Sequence, residues 1–159
     1  MKRKEMNWMK KKYLFILVLA VIVISAAALS VLNGYRLGID ESEIVCVSFY
    51  EFYDEGELNK KVITNTGDIR TIVNAMNSLH SRGKFDVNDV PAGGIGFHLV
   101  FDLGNAARLI SCNQTDHNGH GFLCDGDIRI KVSGLNLEAL WNSLDYEKIE
   151  AKPAELFSD

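Results

Sequence analysis

The chain has 159 residues, 17 Lys+Arg, 21 Asp+Glu and only two prolines, with a formal net charge of −4. That average hides two regions: six basic residues and Glu5 precede an apolar run at Tyr13–Leu32, which leaves 11 basic against 20 acidic residues beyond it. So acidic a remainder excludes nucleic acid and anionic lipid headgroups as its partners, and its roughly 120 residues suffice for one domain with a core but not for two.

Residues 1–12, MKRKEMNWMKKK, form a basic leader. Tyr13 to Leu32, YLFILVLAVIVISAAALSVL, follows with 20 uncharged residues. As a helix these would reach about 30 Å, the thickness of a bilayer core, so the sequence predicts a transmembrane anchor in contact with membrane lipid. Cations before the run and Asp40, Glu41 and Glu43 after it predict a single-pass protein of the cell membrane, with a cytoplasmic N-terminus and an extracytoplasmic C-terminal part. A cleaved secretory signal is the alternative, with small residues at Ala26-Ala27-Ala28 and release near Ala28. Residues 33–43 read as a tether, 44–146 as the extracytoplasmic domain and 147–159 as a polar, unstructured tail.

Within the domain, Ile44–Tyr53 is rich in β-branched and aromatic residues and reads as a strand, with Val45, Val47 and Phe49 on one face. Asp54–Glu57 is a turn and Leu58–Thr64 the return strand of a hairpin. A helix is predicted over Asp68–Ser81, capped by Thr66 or Asp68, because Ile69, Ile72, Val73, Met76 and Leu79 recur at helical spacing; Gly83 is its stop. After a polar loop at Lys84–Gly94, strands are predicted at Ile95–Leu103, Ala107–Asn113, Phe122–Cys124 and Asp127–Val132, the last two joined by a tight turn at Asp125-Gly126. A second helix, capped by Asn136, runs over Leu137–Leu144 with Leu137, Leu140, Trp141 and Leu144 as its apolar stripe. The predicted fold class is α+β: one N-terminal transmembrane helix, then a mostly antiparallel sheet packed with two helices.

One stretch concentrates chemistry-bearing side chains. Cys112, His117, His120 and Cys124 fall within thirteen residues and have the donor types of a tetrahedral zinc site, though not the spacing of a known finger. An exported compartment favours a competing reading, a Cys112–Cys124 disulfide stapling the loop with both histidines solvated, and a third reading has neither bond nor metal. Cys46 is then the odd thiol, buried in its strand or paired with Cys112 or Cys124. Asp116, His117 and His120 with Ser111 contain the residue types of a hydrolytic set, but they crowd one loop and no nucleophile turn accompanies them. Asp125-Gly-Asp127 reads as a turn and not a calcium loop, and Pro91–Gly96 lacks both the lysine and the following helix of a phosphate loop. Asn113-Gln-Thr115 is a glycosylation sequon. His80, His98 and Glu51 read as ordinary helix-end and strand residues.

The leader, the apolar run, the TGDIRTIVNAMNSL helix and the CDGDIRIKVSGLNLEALWNSL ending together resemble, in architecture, small uncharacterised membrane-anchored exported α+β domains of Gram-positive bacteria. No functional residues are defined for such domains, so the resemblance carries none over, and neither a cofactor nor catalytic residues are expected. No cysteine stands just after the apolar run, which argues against a lipid anchor. The expected function is non-enzymatic: display of a small domain that binds a partner protein or ligand at the cell envelope. The alternative is a metal-binding or redox-active domain centred on the Cys/His loop.

Overall fold

The computed structural model of the protein describes residues 13, 15–25, 35–52, 57–86, 88 and 94–156. The chain divides into two units, Met1–Gly34 and Tyr35–Asp159. The described residues of the first unit are helical, and the eleven of the run 15–25 rise about 16 Å, roughly half a bilayer core. Among the described residues no helix is long and apolar enough to cross a membrane. This overturns the transmembrane anchor expected over 13–32. The single-pass cell-membrane localisation and its orientation fall with it. The leader 1–12 and residues 26–34, including the cleavage site near Ala28, lie outside the described residues.

The second unit is built on one sheet of eight strands: β1 (Cys46–Phe52), β2 (Leu58–Ile63), β3 (His80–Lys84), β4 (Ile95–Asp102), β5 (Ala107–Gln114), β6 (His120–Asp125), β7 (Ile128–Ser133) and β8 (Ile149–Glu150). Their order is β3-β7-β6-β5-β4-β1-β2-β8, and every pairing is antiparallel. The expected fold class is corrected accordingly: no spanning helix among the described residues, and two more strands than the sequence predicts. Alternation at period two places Val47, Phe49, Phe97, Leu99, Phe101, Ile110, Cys112, Leu123 and Val132 on one inner face. Helices α1 (Thr66–Asn77) and α2 (Leu137–Ser143) close that face with Ile69, Ile72, Val73, Met76, Leu137 and Trp141. Phe49 stands 5.8 Å from Phe97 and meets Trp141 edge-on at 5.2 Å between ring centroids.

The cap of α1 is Asn65, not Thr66 or Asp68: its side chain accepts from the N–H groups of Gly67 and Asp68 at 2.8 and 3.3 Å. The short α2 is held by the sheet at both ends. Asn136 makes no side-chain cap. Gln114 of β5 does so from across the core, accepting from the Leu137 N–H at 2.9 Å and the Glu138 N–H at 3.4 Å. At the other end the buried Lys61 of β2 donates to the carbonyls of Trp141 and Leu144 at 2.8 and 2.7 Å, with its ammonium 4.8 Å from the Trp141 ring. A cation at a helix C-terminus meets orphan carbonyls and the negative end of the dipole. Lys61→Met keeps the apolar stem and strands two buried acceptors, so it is expected to lower the unfolding free energy by about 2 kcal/mol in urea denaturation.

Both unpredicted strands lie at the sheet edges. β3, HSRGK, is mostly exposed and carries a register shift between Ser81 and Lys84. β8 has two residues. Charge, a bulge and shortness are the usual ways of blunting an edge against further pairing. The segment read as a tether is packed as well: Tyr35 and Leu37 are buried in the main core, and the Tyr35 N–H donates to the Leu79 carbonyl at 2.8 Å. The tail read as unstructured forms β8 and a 3-10 turn at Pro153–Leu156, with Ala151 buried between them.

Candidate functional site

On the outer face of the sheet the C-terminal tail covers one end. Ala151 and Leu156 pack with Tyr50, Leu58 and Val100, and Glu155 pairs with Lys60. The other end, at β3, β7 and β6, has a different character. Arg82, Lys84, Arg129 and Lys131 lie there on two adjacent strands, four of the 11 basic residues beyond the apolar run. Among the others, Arg70 pairs with Glu41, Arg108 with Asp125 and Lys60 with Glu155, and Lys61 donates to the end of α2. Positive charge in an acidic domain is therefore concentrated at one corner.

That corner contains a cavity of about 270 Å³, lined by Arg82 from β3, Thr115, His120 and Phe122 from the β5–β6 region, and Lys131 and Val132 from β7. The local fold explains each position. Gly83 sits at φ +112, a conformation that disfavours any side chain, inside the bulge that carries Arg82. Phe122 and Lys131 are direct cross-strand partners. Phe85 packs edge-on against Phe122 with ring centroids 5.0 Å apart and fixes its plane. Gly121 also lines the cavity and cannot be enlarged: a Cβ there would fall 2.3 Å from the Asn113 carbonyl oxygen and 2.5 Å from Leu135 Cδ2.

His120 is positioned by Asp116. Asp116 Oδ1 accepts from the N–H groups of Asn118 and His120 at 2.9 and 3.0 Å, and Oδ2 lies 2.7 Å from His120 Nδ1. The backbone N–H and then the ring of His120 hold the Asp116 carboxyl below the usual carboxylate range. An ionised carboxylate only accepts, so the proton of this bond sits on Nδ1 and fixes the tautomer. The Thr115 hydroxyl donates to the His120 carbonyl at 3.2 Å. Beyond this loop lies a second cavity of about 330 Å³, lined by Gln114, Thr115, Asp116, His117 and Glu138 with Gly94 and Ile95.

Of the residues singled out by sequence, the structure brings together only some. Cys112 stands opposite Leu123 on the inner face, whereas Cys124 stands opposite Ser111 on the outer face. The one-residue offset points the two thiols to opposite sides of the sheet, so the expected Cys112–Cys124 disulfide is excluded, and all three cysteines are free. Cys46 is on the outer face, its sulfur 3.8 Å from Asp102 Oδ2, and three strand spacings, about 14 Å, separate its strand from that of Cys124, beyond disulfide reach. Burial, then the neighbouring Cys124 and Asp125, push the Cys112 thiol far above its ordinary value, which suits a core residue and not a metal-binding thiolate. His117 lies 3.5 Å from Glu138 with its side chain exposed, and His120 belongs to Asp116. The four candidates Cys112, His117, His120 and Cys124 therefore do not converge, and no group of three or more His, Cys, Asp or Glu among the described residues is placed to hold a metal.

The hydrolytic set separates in the same way. Ser111 is bonded not to the loop histidines but to His98, its cross-strand partner on β4, with Oγ 2.9 Å from Nδ1. Burial holds His98 below the usual histidine range. Ser111 is four residues along the strand pairing from His120 and does not line the cavity. Asn113 of the sequon is a half-buried strand residue paired with Gly96 and Phe122. Sequence reasoning missed Arg82 and Lys131 as site residues. The signal available was the clustering of cations in a domain that is otherwise acidic. Comparison with protein-family models, curated proteins and solved structures gives no match for this chain.

Proposed function

We propose that the Tyr35–Asp159 unit is a non-catalytic binding domain whose ligand seats in the cavity at the β3–β7–β6 corner. The observation that carries this reading is the convergence of Arg82, Lys131 and a carboxylate-oriented His120 on one hollow of about 270 Å³ in a domain with a large acidic excess. Ligand sites are concave, with apolar walls and a few convergent polar groups, and the Phe122 ring supplies an apolar wall here. A non-catalytic role is supported by the chemistry of the lining: its one hydroxyl, on Thr115, is already bonded to a backbone carbonyl, and Ser111 pairs with His98 elsewhere. The acidic surroundings favour a single anionic group over a polyanion such as nucleic acid.

A fragment screen read by amide chemical shifts on the full chain tests this. The expected result is that hits perturb the amides of Arg82, His120, Phe122 and Lys131. A hit held at about a hundred times its Kd raises the unfolding free energy by about 2.7 kcal/mol. Hits that map reproducibly to another surface would remove the proposal.

A further inference from the structure

The end of the sheet away from the corner cavity is closed by a strap. After α2 the chain turns back along β2, antiparallel to it. The Tyr146 hydroxyl accepts from the Asn65 N–H at 3.3 Å at one end, and the Ala151 N–H donates to the Leu58 carbonyl at 2.8 Å at the other. Between them β8 pairs Ile149 with Lys60 and Glu150 with Asn59, two of the six residues of β2. Beyond β8 the chain crosses to the outer face, where Ala151 and Leu156 pack with Tyr50, Leu58 and Val100, and Glu155 pairs with Lys60. We propose that this strap, Ile149–Leu156, is an intramolecular stand-in for a partner protein. The β2 edge and the apolar groove beside it accept an extended segment of that partner, with aliphatic side chains on one face and a carboxylate for Lys60, and the strap occupies the place until the segment displaces it.

The strap is lightly held. An ordinary strand has about five or six residues, and β8 has two. Pro153 has no N–H to donate, so the ladder cannot run on through it. Its two ion pairs, Lys60–Glu155 and Lys148–Glu51, each include a side chain more than a third exposed, a setting in which such pairs contribute little. The surface it lies on has more to give. Tyr50 and Leu58 are buried with the strap in place, but Phe52 and Val62, on the same face of the same two strands, each remain 36 % exposed. A strand that paired along all of β2 would add ladder bonds that β8 leaves unmade and cover apolar side chains that the strap leaves open. Strand addition at a sheet edge takes affinity from main-chain bonds and specificity from alternate side chains. Leu58, Lys60 and Val62 are the alternate residues of β2 on the outer face, which sets the required pattern: aliphatic, acidic, aliphatic.

The test titrates the full chain with a synthetic peptide of its own residues 147–156, EKIEAKPAEL, following the amides of Lys60 and Val62. Ala151→Asp sets a carboxylate against Tyr50 and Leu58 and so detaches the strap while leaving the acceptor intact. The peptide is expected to bind this variant at least about tenfold more tightly than the wild type, and adding Lys60→Ala should weaken that binding about threefold. Glu155→Lys, on the exposed turn, should raise binding to the otherwise native chain in the same direction, about threefold, and does not depend on how Ala151→Asp folds. Amide exchange on the wild type gives a second reading: the Ala151 amide should exchange at least about tenfold faster than that of Phe49 in the middle of the sheet. Equal binding to wild type and Ala151→Asp, or binding to neither, overturns the proposal. So does an Ala151 amide that exchanges as slowly as Phe49, since the strap would then open only when the whole domain does. A wild type that is dimeric, and monomeric once Ala151 is replaced, assigns the groove to the strap of a second copy and overturns the partner reading.

Discussion

Replacing Asp125 by alanine is expected to lower the unfolding free energy by about 3 kcal/mol, because it leaves a guanidinium and a phenol without their shared partner in a largely buried setting. Asp125 is 5 % exposed at its side chain and accepts from Arg108 Nε at 2.9 Å, Arg108 Nη2 at 2.5 Å and the Tyr35 hydroxyl at 2.6 Å. Arg108 Nη1 reaches on to the Leu37 carbonyl at 2.6 Å, so the network ties the segment entering the domain to strands β5 and β6. Burial by itself would raise the Asp125 carboxyl, but the hydrogen bonds from Arg108 and Tyr35 and the charge of Arg108 outweigh it and hold the group below the usual range. A carboxyl depressed in the folded state contributes stability that is present above its unfolded value, about pH 4, and lost as pH falls through the folded one. Equilibrium unfolding of the wild type and of Asp125→Asn, compared from pH 6 down to pH 2, should therefore show a gap that is constant at the upper end and closes below about pH 4. A gap unchanged down to pH 2 would show that the ionised carboxylate is not what holds the network.

Asp125 also shows where the sequence stops being readable. Asp125-Gly126 looks like the centre of a hairpin turn, but the turn is Gly126-Asp127, with Gly126 at φ +55 and Asp125 paired to Ile128 as the last residue of β6. A shift of one residue sends the side chain to the opposite face of the sheet, here from solvent to the interior. The same alternation decided the cysteines. Spacing along the chain brings Cys112 and Cys124 near each other, while register puts them on opposite faces. Periodic apolar segments are legible because the pattern itself is the cause of burial: the stripe of α1 and the alternation in β4 and β5 emerge as read, and in β1 Val47 and Phe49 do, whereas Val45, read onto the same face, precedes the strand and is exposed. β3 is not legible, because HSRGK has no apolar residue and is a strand only through pairing with β7, a tertiary cause absent from its own composition. The capping of α2 by Gln114 and Lys61 likewise depends on residues 23 and 80 positions away from the groups they satisfy. The apolar run at 13–32 carried the strongest composition signal, and composition alone did not produce a helix long enough to span a membrane among the described residues. As for the site, the loop histidines were legible as residue types, but the cavity requires β3 beside β7, and that neighbourhood is written only in the topology.

Gly121→Ala is expected to cost about 3 kcal/mol, an effect large for a single methyl group, and to abolish ligand binding at the corner in the fraction that remains folded. A Cβ at this position would sit 2.3 Å from the Asn113 carbonyl oxygen, a backbone atom of the neighbouring strand that cannot rotate away, and 2.5 Å from Leu135 Cδ2. Relief requires β5 and β6 to separate at the Gln114–Gly121 pair, next to the Gln114 side chain that caps α2. Overpacking of a well-filled interior typically costs about 1–3 kcal/mol, and the rigidity of a backbone obstacle places this case at the upper end. Gly96 is the internal comparison. It lies in the adjacent strand β4, yet the nearest atom to an added Cβ is Phe52 Cβ at 3.5 Å, ordinary contact. Gly96→Ala should therefore change stability by less than about 1 kcal/mol, and the reduced freedom of the unfolded chain acts in its favour. Thermal unfolding of the two variants beside the wild type separates the effects, with a loss of about 10 °C expected for Gly121→Ala and a shift of at most about 4 °C for Gly96→Ala. Equal losses would mean that glycine matters in these strands for a reason other than the close approach at Asn113. A tolerated Gly121→Ala would show that β5 and β6 can part there without disturbing α2.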